Sequence, residues 1–570
     1  MSSAAGDRTP AWWSRRRLAM AAVTAAAIGA CAFLYRFNTM GGALGGFDND
    51  HFTRLVRADM LLDGQWPLRD FVDAELRGAW PALTYAVSAW AQQVGGRTLL
   101  PEAYLMATLL TIAYMIVFGL ALDLSKRWSV AVLVTMVAIA TTPKLHNYPK
   151  VLMLAAGVWV LRAAVLKPSG LRLGAAALVT AVATVFRHDY GVYVAVGVMV
   201  ALVTRDAGRW RTAARSVGLY AALTTVCLLP SAVSVYLYEG IPSYLRNILV
   251  TVAAEETRTP LDLSRFDLSA PLSGEGPEIV TYYAFWAVPL LAVVVCGALA
   301  ASGAWQRLRA DERATAAGLL AMAVIVNWFF LRANLAARFG DAVVPVVLLA
   351  AWVVGVAPAW RSAAIRIPAI VIPLVLMVQM LGAAYVYADV AHELDTSGLS
   401  DSWGKTVRRY RAVNDELSRL PPADWSDTEA LWPDARVQGT LQAARYVAEC
   451  TSPDDYLLVT GPIHEIPLLA RRRFAAGQAL FKLSLYTSEA DQRRAVARLE
   501  RQSVPVFIAD AEDFEDGFAF DYPLVAQYLA EHYREAGLIL ADGEPQYRVF
   551  VAASREPLGV DPRFGFPCFR

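Results

Sequence analysis

The sequence predicts an all-α polytopic membrane domain of about eleven spans, followed by a small soluble α/β domain. Three observations predict it. The 570 residues are 56% hydrophobic with a mean hydropathy of +0.39, and only 18% are charged, below the roughly 25% usual for soluble domains. Apolar segments recur up to about residue 390. From Ala391 onward the chain is charged and has no long apolar run. With a net charge of +1, no global attraction to a polyanion follows, and nucleic acid is not an expected partner.

At the N-terminus, Arg15-Arg16-Arg17 precede an apolar run from Leu18 to Tyr35, long enough to cross a core of ~30 Å. No clear cleavage site follows before Arg36, so an uncleaved span is expected. Further apolar segments fall near 103–122, 129–142, 151–166, 173–186, 190–204, 215–236, 280–301, 314–331, 342–357 and 365–388. Every second loop between them is basic: Lys126-Arg127, Lys167 with Arg172, Arg205 to Arg215, Arg307 with Arg309, Arg361 with Arg366. Basic loops stay on the cytoplasmic side. The alternation holds if residues 36–100 lie outside, with the apolar stretch 79–94 re-entrant or interfacial. The N-terminus is then cytoplasmic and the C-terminal region extracytoplasmic, in a multi-pass protein of a bacterial inner membrane.

The expected domains are 1–390 in the membrane, with its first outer loop at 36–100, and 391–570 as the soluble unit. In the latter, 455–460, 504–509 and 546–552 read as strands, with helical patterns at 437–449, 488–502 and 523–536. Strands alternating with helices suggest an α/β domain. No Gly-x-Gly-x-x-Gly run supports a nucleotide site. Cys31, Cys227 and Cys296 fall in apolar segments and read as core residues. Cys450 and Cys568 fall in the tail, where they are able to pair if it lies outside the cytoplasm.

Gly46-Phe47-Asp48-Asn49-Asp50-His51-Phe52 is the acidic cluster of the first loop. Carboxylates beside a bilayer are costly unless they have a role. Asp50 opens a helix-like run whose Phe52, Leu55, Val56 and Met60 recur at helical spacing, as in a helix lying in the interface. Asp63-Gly64 stops it. At the start of a helix a carboxylate is favoured by the dipole, and Asp50 also reads as a plain N-cap.

Asn49-Asp50-His51-Phe52, then Ala58-Asp59-Met60-Leu61-Leu62-Asp63-Gly64-Gln65-Trp66-Pro67-Leu68-Arg69-Asp70-Phe71, then the Pro-containing helix from Trp80-Pro81, resemble the first outer loop of GT-C fold glycosyltransferases. That group includes protein mannosyltransferases, the lipid A aminoarabinose transferase and oligosaccharyltransferases, which use polyprenyl-phosphate-linked sugars. The resemblance covers the loop in sequence and the spans to about 390 in topology. It implies that Asp50 is the catalytic aspartate, in preference to Asp48, and that transfer inverts the anomeric centre. His51-Phe52 departs from the usual residues at those positions. In several relatives the second outer loop carries an acidic metal motif; here Thr142–Lys150 has no acid. No cofactor is expected, and a divalent metal is not supported by the sequence.

Glycosyl transfer needs a base for the acceptor hydroxyl and cations for the departing phosphate. Asp50 or Asp48 would supply the base. Lys144, His146, Lys150, Arg187, His188 and Arg338 are candidates for the donor phosphate, Arg suiting bidentate contact and Lys acting as a point charge. Asp70, Asp73 and Glu75 are candidates for substrate contact. Each has a plainer reading: an Arg187–Asp189 ion pair, snorkelling of Arg338, interfacial anchoring by Lys144 and Lys150. Arg471-Arg472-Arg473 reads as a packing or solvated face, and His464-Glu465 as a loop or the border of an acceptor site. The expected partners are a polyprenyl-phosphate sugar, an envelope glycan, lipid or protein acceptor, and the bilayer. The rival readings are a transporter or flippase, or a polymerase or ligase, of lipid-linked saccharides.

Overall fold

The computed structural model describes residues 14–41, 47, 49–72, 80–142, 148–254, 262–263, 273–331, 338–425, 435–481, 485–511 and 517–570. Asp48, Asp73, Glu75, Lys144 and His146 lie outside the described residues.

The first part of the chain is helical: α1 (Arg15–Asn38), α2 (Asn49–Leu62), α3 (Leu83–Gly95), α4 (Leu99–Ser125), α5 (Trp128–Ala140), α6 (Tyr148–Leu166), α7 (Gly170–Phe186), α8 (His188–Arg205), α9 (Trp210–Tyr238), α10 (Ile241–Ala254), α11 (Gly276–Ala301), α12 (Ala310–Leu331), α13 (Phe339–Val356) and α14 (Ala363–Tyr387). All but α2, α3 and α10 fall on the eleven apolar segments read from the sequence. Among the described residues, seven helices are long and apolar enough to cross a membrane: α1, α4, α6, α9, α11, α13 and α14. The apolar α5 has 13 residues, about 20 Å at helical rise, too short to cross alone.

Helix α13 runs through the centre, against α4, α5, α6, α11, α12 and α14, while α9 lies at the periphery with almost no buried surface. The close pair α8–α12 depends on glycine. A Cβ on Gly318 would stand 2.7 Å from the Gly197 carbonyl oxygen, and one on Gly197 would meet Met322 at 2.4 Å. Small residues let membrane helices approach backbone to backbone. Ser14 and Ser169 cap α1 and α7 by accepting from the amides of Arg17 and Arg172, satisfying N–H groups the helix leaves open.

Helix α3 has 13 residues and covers the 79–94 stretch, packed on α2 and α4. Helix α2 differs from the expectation of an interfacial helix. Its apolar Phe52, Leu55, Val56 and Met60 are buried, and so are Thr53, Arg54 and Arg57 on its other faces. Protein covers most of it, because the C-terminal region packs on it.

That region begins with α15 (Val390–Ser397) and α16 (Trp403–Ser418), which pack on α1. Arg36, buried at the end of α1, pairs with Glu393 of α15 at 3.3 Å and donates to the Ile139 carbonyl. Then follow α17 (Ala435–Cys450), β1 (Tyr456–Thr460), α18 (Glu465–Leu469), β2 (Arg473–Phe474), α19 (Glu489–Leu499), β3 (Val506–Asp510), α20 (Pro523–His532), β4 (Tyr533–Ala541), β5 (Glu544–Ala552), β6 (Gly559–Val560) and β7 (Pro567–Cys568). The main sheet has the order β2-β1-β3-β5-β4. Strands β2, β1 and β3 are parallel; β5 pairs antiparallel with β3 and β4. The three expected strands are β1, β3 and β5.

The helical pattern expected over 523–536 stops at His532, and Tyr533 begins a strand. The hairpin β4–β5 decides this: its turn is Asp542-Gly543, both with positive φ, the geometry that favours Asp-Gly between antiparallel strands. Cys450 and Cys568 are disulfide-bonded, tying the end of α17 to β7.

Candidate functional site

Asp50 stands exposed in the first turn of α2. Residues i, i+4 and i+7 share a helix face, so Arg54 and Arg57 lie below it. Both guanidiniums are buried against rings of neighbouring helices. Arg54 lies 5.9 Å from the Tyr148 ring centre at the start of α6. Arg57 lies 5.5 Å from the Tyr85 ring centre of α3. A buried carboxylate, Glu102 of α4, stands close to Arg54 and accepts from Ser88 Oγ at 3.1 Å. Buried cations need such partners, since an isolated charge in an apolar interior is costly.

Two residues beyond Tyr148, Lys150 forms a 2.7 Å ion pair with Asp341 of α13, both largely shielded from solvent. Tyr190 of α8 donates to the Asp341 carbonyl at 3.2 Å. Arg187, at the α7–α8 junction, grips Asp189 through Nε at 2.8 and 2.9 Å and lies within electrostatic reach of Asp341. Arg338, half-buried at the start of α13, feels Arg187, Asp189 and Asp341. His188 Nε2 is 2.7 Å from the Tyr244 hydroxyl of α10. The described phosphate candidates Lys150, Arg187 and Arg338 are therefore brought together, with His188 beside them. This cluster sits at the same end of the bundle as Asp50.

Asp70 has a local role: its Oδ2 accepts from the Trp66 amide at 2.7 Å and from Arg69, closing the turn after α2. Trp66 packs on Trp80 with ring centres 5.0 Å apart. The two tryptophans and the α9 face around Pro230 line an apolar groove of about 590 Å³.

The C-terminal domain covers the remaining side of α2. His464 Nδ1 is 2.9 Å from Thr53 Oγ1, Gln65 donates to the Tyr456 hydroxyl at 2.9 Å, and the Val72 amide donates to the Gly477 carbonyl at 2.7 Å. His464 is buried, so it is an interface residue and not a plain loop. In the Arg471–Arg473 run, Arg472 packs inward and donates to the carbonyls of Ala448 in the last turn of α17 and of Thr451 just past it, where cations are favoured. Arg471 closes a cavity of about 70 Å³ that also holds Asp59, Asp63 and Arg97. Burial pushes the Asp59 carboxyl up to about 6, against the opposing pull of Arg97 and Arg471. Burial likewise pushes Glu465 up to about 7.

Arg54, Arg57 and Glu102 are buried residues around α2 that the sequence reading passed over, while His464, read there as a loop or the border of an acceptor site, packs on Thr53 of α2. Spacing gives a signal for the first two, since a helix beginning at Asp50 carries them on its face. Among the described residues no group of three or more His, Cys, Asp or Glu side chains is arranged to hold a metal ion.

No protein-family profile matches this chain, and no curated protein sequence matches it. Among solved structures it is similar to ArnT from Cupriavidus metallidurans bound to undecaprenyl phosphate, with a TM-score of 0.50, 13% identity, and coverage of 94% of this chain and 98% of that one. At that identity the likeness is one of fold, and it extends over the helical bundle and the C-terminal domain.

Proposed function

We propose that this chain is a membrane glycosyltransferase that moves a sugar from a polyprenyl phosphate to an acceptor hydroxyl on the outer face of a bacterial inner membrane. The observation that carries the reading is the cation cluster of Lys150, Arg187 and Arg338, assembled at the end of the bundle where α2 presents Asp50. The fold shared with a polyprenyl-phosphate-binding protein supports it. So does the Cys450–Cys568 disulfide, a bond that persists in oxidising compartments and suits an extracytoplasmic C-terminal domain.

In this mechanism Asp50 takes the proton of the acceptor hydroxyl as the acceptor oxygen attacks the anomeric carbon. The bond from that carbon to the phosphate oxygen breaks, and its electron pair leaves with the polyprenyl phosphate. Lys150, Arg187, His188 and Arg338, with Lys144 and His146 of the preceding loop, balance the charge that grows there. One carboxylate suffices, because inversion needs no covalent nucleophile. Asp341 and Asp189 hold Lys150 and Arg187 in place. The prenyl chain lies along the groove between Trp66, Trp80 and α9.

The test is transfer from a panel of radiolabelled polyprenyl-phosphate sugars by the purified chain, wild type beside Asp50→Asn. Turnover that vanishes in the variant while donor binding persists is the expected result. Unchanged turnover in the variant removes Asp50 as base and moves attention to Asp48. Donor binding without turnover by the wild type, with every acceptor class supplied, favours a carrier of lipid-linked saccharides instead.

A further inference from the structure

A second cavity lies at the opposite end of the bundle, where α1, α7 and α12 begin and α4 and α6 end. It is a groove of about 980 Å³ open along its side. Its walls are apolar and exposed, with Leu18 of α1, Ile112 of α4, and Trp159 and Leu166 of α6 turned outward. Four cations close its end: Lys126, Arg162, Arg172 and Arg309, against two carboxylates, Asp123 and Glu312.

These cations are held in fixed positions. Buried Arg162 bridges Asp123 at 3.0 Å and Asp311 at 2.9 Å. Lys126 leans on Asp123 at 2.8 Å and Arg309 on Asp311 at 3.0 Å. Arg172 donates to the Ala163 carbonyl at 3.0 Å and has no carboxylate partner among the described residues. With Asp311 included, four cations face three carboxylates at the groove end, and Arg172 is the cation left to receive an anion.

We infer that this groove binds an anionic phospholipid from the surrounding leaflet, its acyl chains against Trp159 and Ile112 and its phosphate between Arg172 and Lys126. An apolar slot that opens to the bilayer and ends in cations matches a lipid with a negative headgroup, and basic pockets between membrane helices recognise such headgroups. The Asp50 site lies at the other ends of α4 and α6, so this lipid is not the sugar donor. The inference does not depend on the transfer reaction.

The test is native mass spectrometry of the full chain in detergent, with chain-matched phosphatidylglycerol and phosphatidylcholine in competition. Wild type retains phosphatidylglycerol preferentially. Arg172→Ala and Lys126→Ala each weaken that preference about fivefold, the effect of one cation near a lipid surface. Gly119→Leu weakens retention of both lipids: a Cβ at Gly119 of α4 meets no protein atom within 4 Å, so the longer side chain stands in the groove without disturbing the bundle. Unchanged melting temperatures in lipid-free detergent confirm that the variants fold. Equal retention of the two lipids by wild type overturns the inference, as does undiminished phosphatidylglycerol binding in Gly119→Leu. Displacement of phosphatidylglycerol by undecaprenyl phosphate at equal concentration overturns it too, by naming a different occupant.

Discussion

His464 Nδ1 meets Thr53 Oγ1 at 2.9 Å, joining the loop after β1 to the helix that carries Asp50, one turn from the carboxylate. Both residues are buried. The C-terminal domain therefore braces the helix that carries Asp50.

Substituting one partner leaves the other buried with its bond unmade, which costs about 1–3 kcal/mol. His464→Phe is expected to lower the melting temperature by several degrees and to reduce kcat about tenfold or more, since small displacements of a positioned base slow chemistry steeply. The pair Thr53→Val with His464→Phe, which removes both polar groups, recovers most of the stability and little of the kcat. Equal recovery of both would make the contact purely structural.

Lys150 and Asp341 form a second pair whose halves are separable. Lys150→Met strands a buried carboxylate, at a cost of about 3–5 kcal/mol. The double variant Lys150→Met with Asp341→Leu regains the fold. Donor affinity stays low in the double variant if Lys150 serves the phosphate; donor affinity at the wild-type level would confine the lysine to holding Asp341.

Asp59 sets a pH dependence. Its folded-state pKa is raised by burial to about 6, above its unfolded value of about 3.9. The folded chain binds the proton more tightly, so this contribution to stability is full below about pH 4 and is lost as pH rises through about 6. Asp59→Asn is expected to match wild type in thermal unfolding near pH 4 and to exceed it at pH 7.5. A variant that melts below wild type at pH 7.5 would mean that the pull of Arg97 and Arg471 outweighs burial.

The disulfide gives a measurement of both stability and location. It closes a separation of 118 residues, and removing such a link costs about 2–5 kcal/mol. Cys450→Ser with Cys568→Ser is expected to melt several degrees lower, while the pair in intact cells resists thiol reagents until a reductant is added. Labelling of both thiols without reductant would argue against an extracytoplasmic tail.

Much of this architecture was legible in the sequence, for physical reasons. Eleven apolar segments gave eleven helices, because a bilayer forces backbone groups to pair within each segment. The helix that begins at Asp50 was legible from its loop, and the burial of Arg54 and Arg57 could have been read from that helix by their spacing. Glu102 and His464 could not, since each meets α2 only through tertiary packing. In the tail, Asp542-Gly543 carried a hairpin signal that the helical pattern over 523–536 concealed. The burial of α2 was missed because an amphipathic pattern does not say whether lipid or protein covers the apolar face.

The partners Thr53 and His464 are separated by 411 positions. Domains order themselves as they emerge, N-terminal part first, so the helix bearing Asp50 is made long before the segment that seats it. Every membrane helix is synthesised before β1. A nascent or truncated chain therefore holds Asp50 on a helix whose buried partner His464 is still missing, and that contact becomes available only in the last fifth of translation.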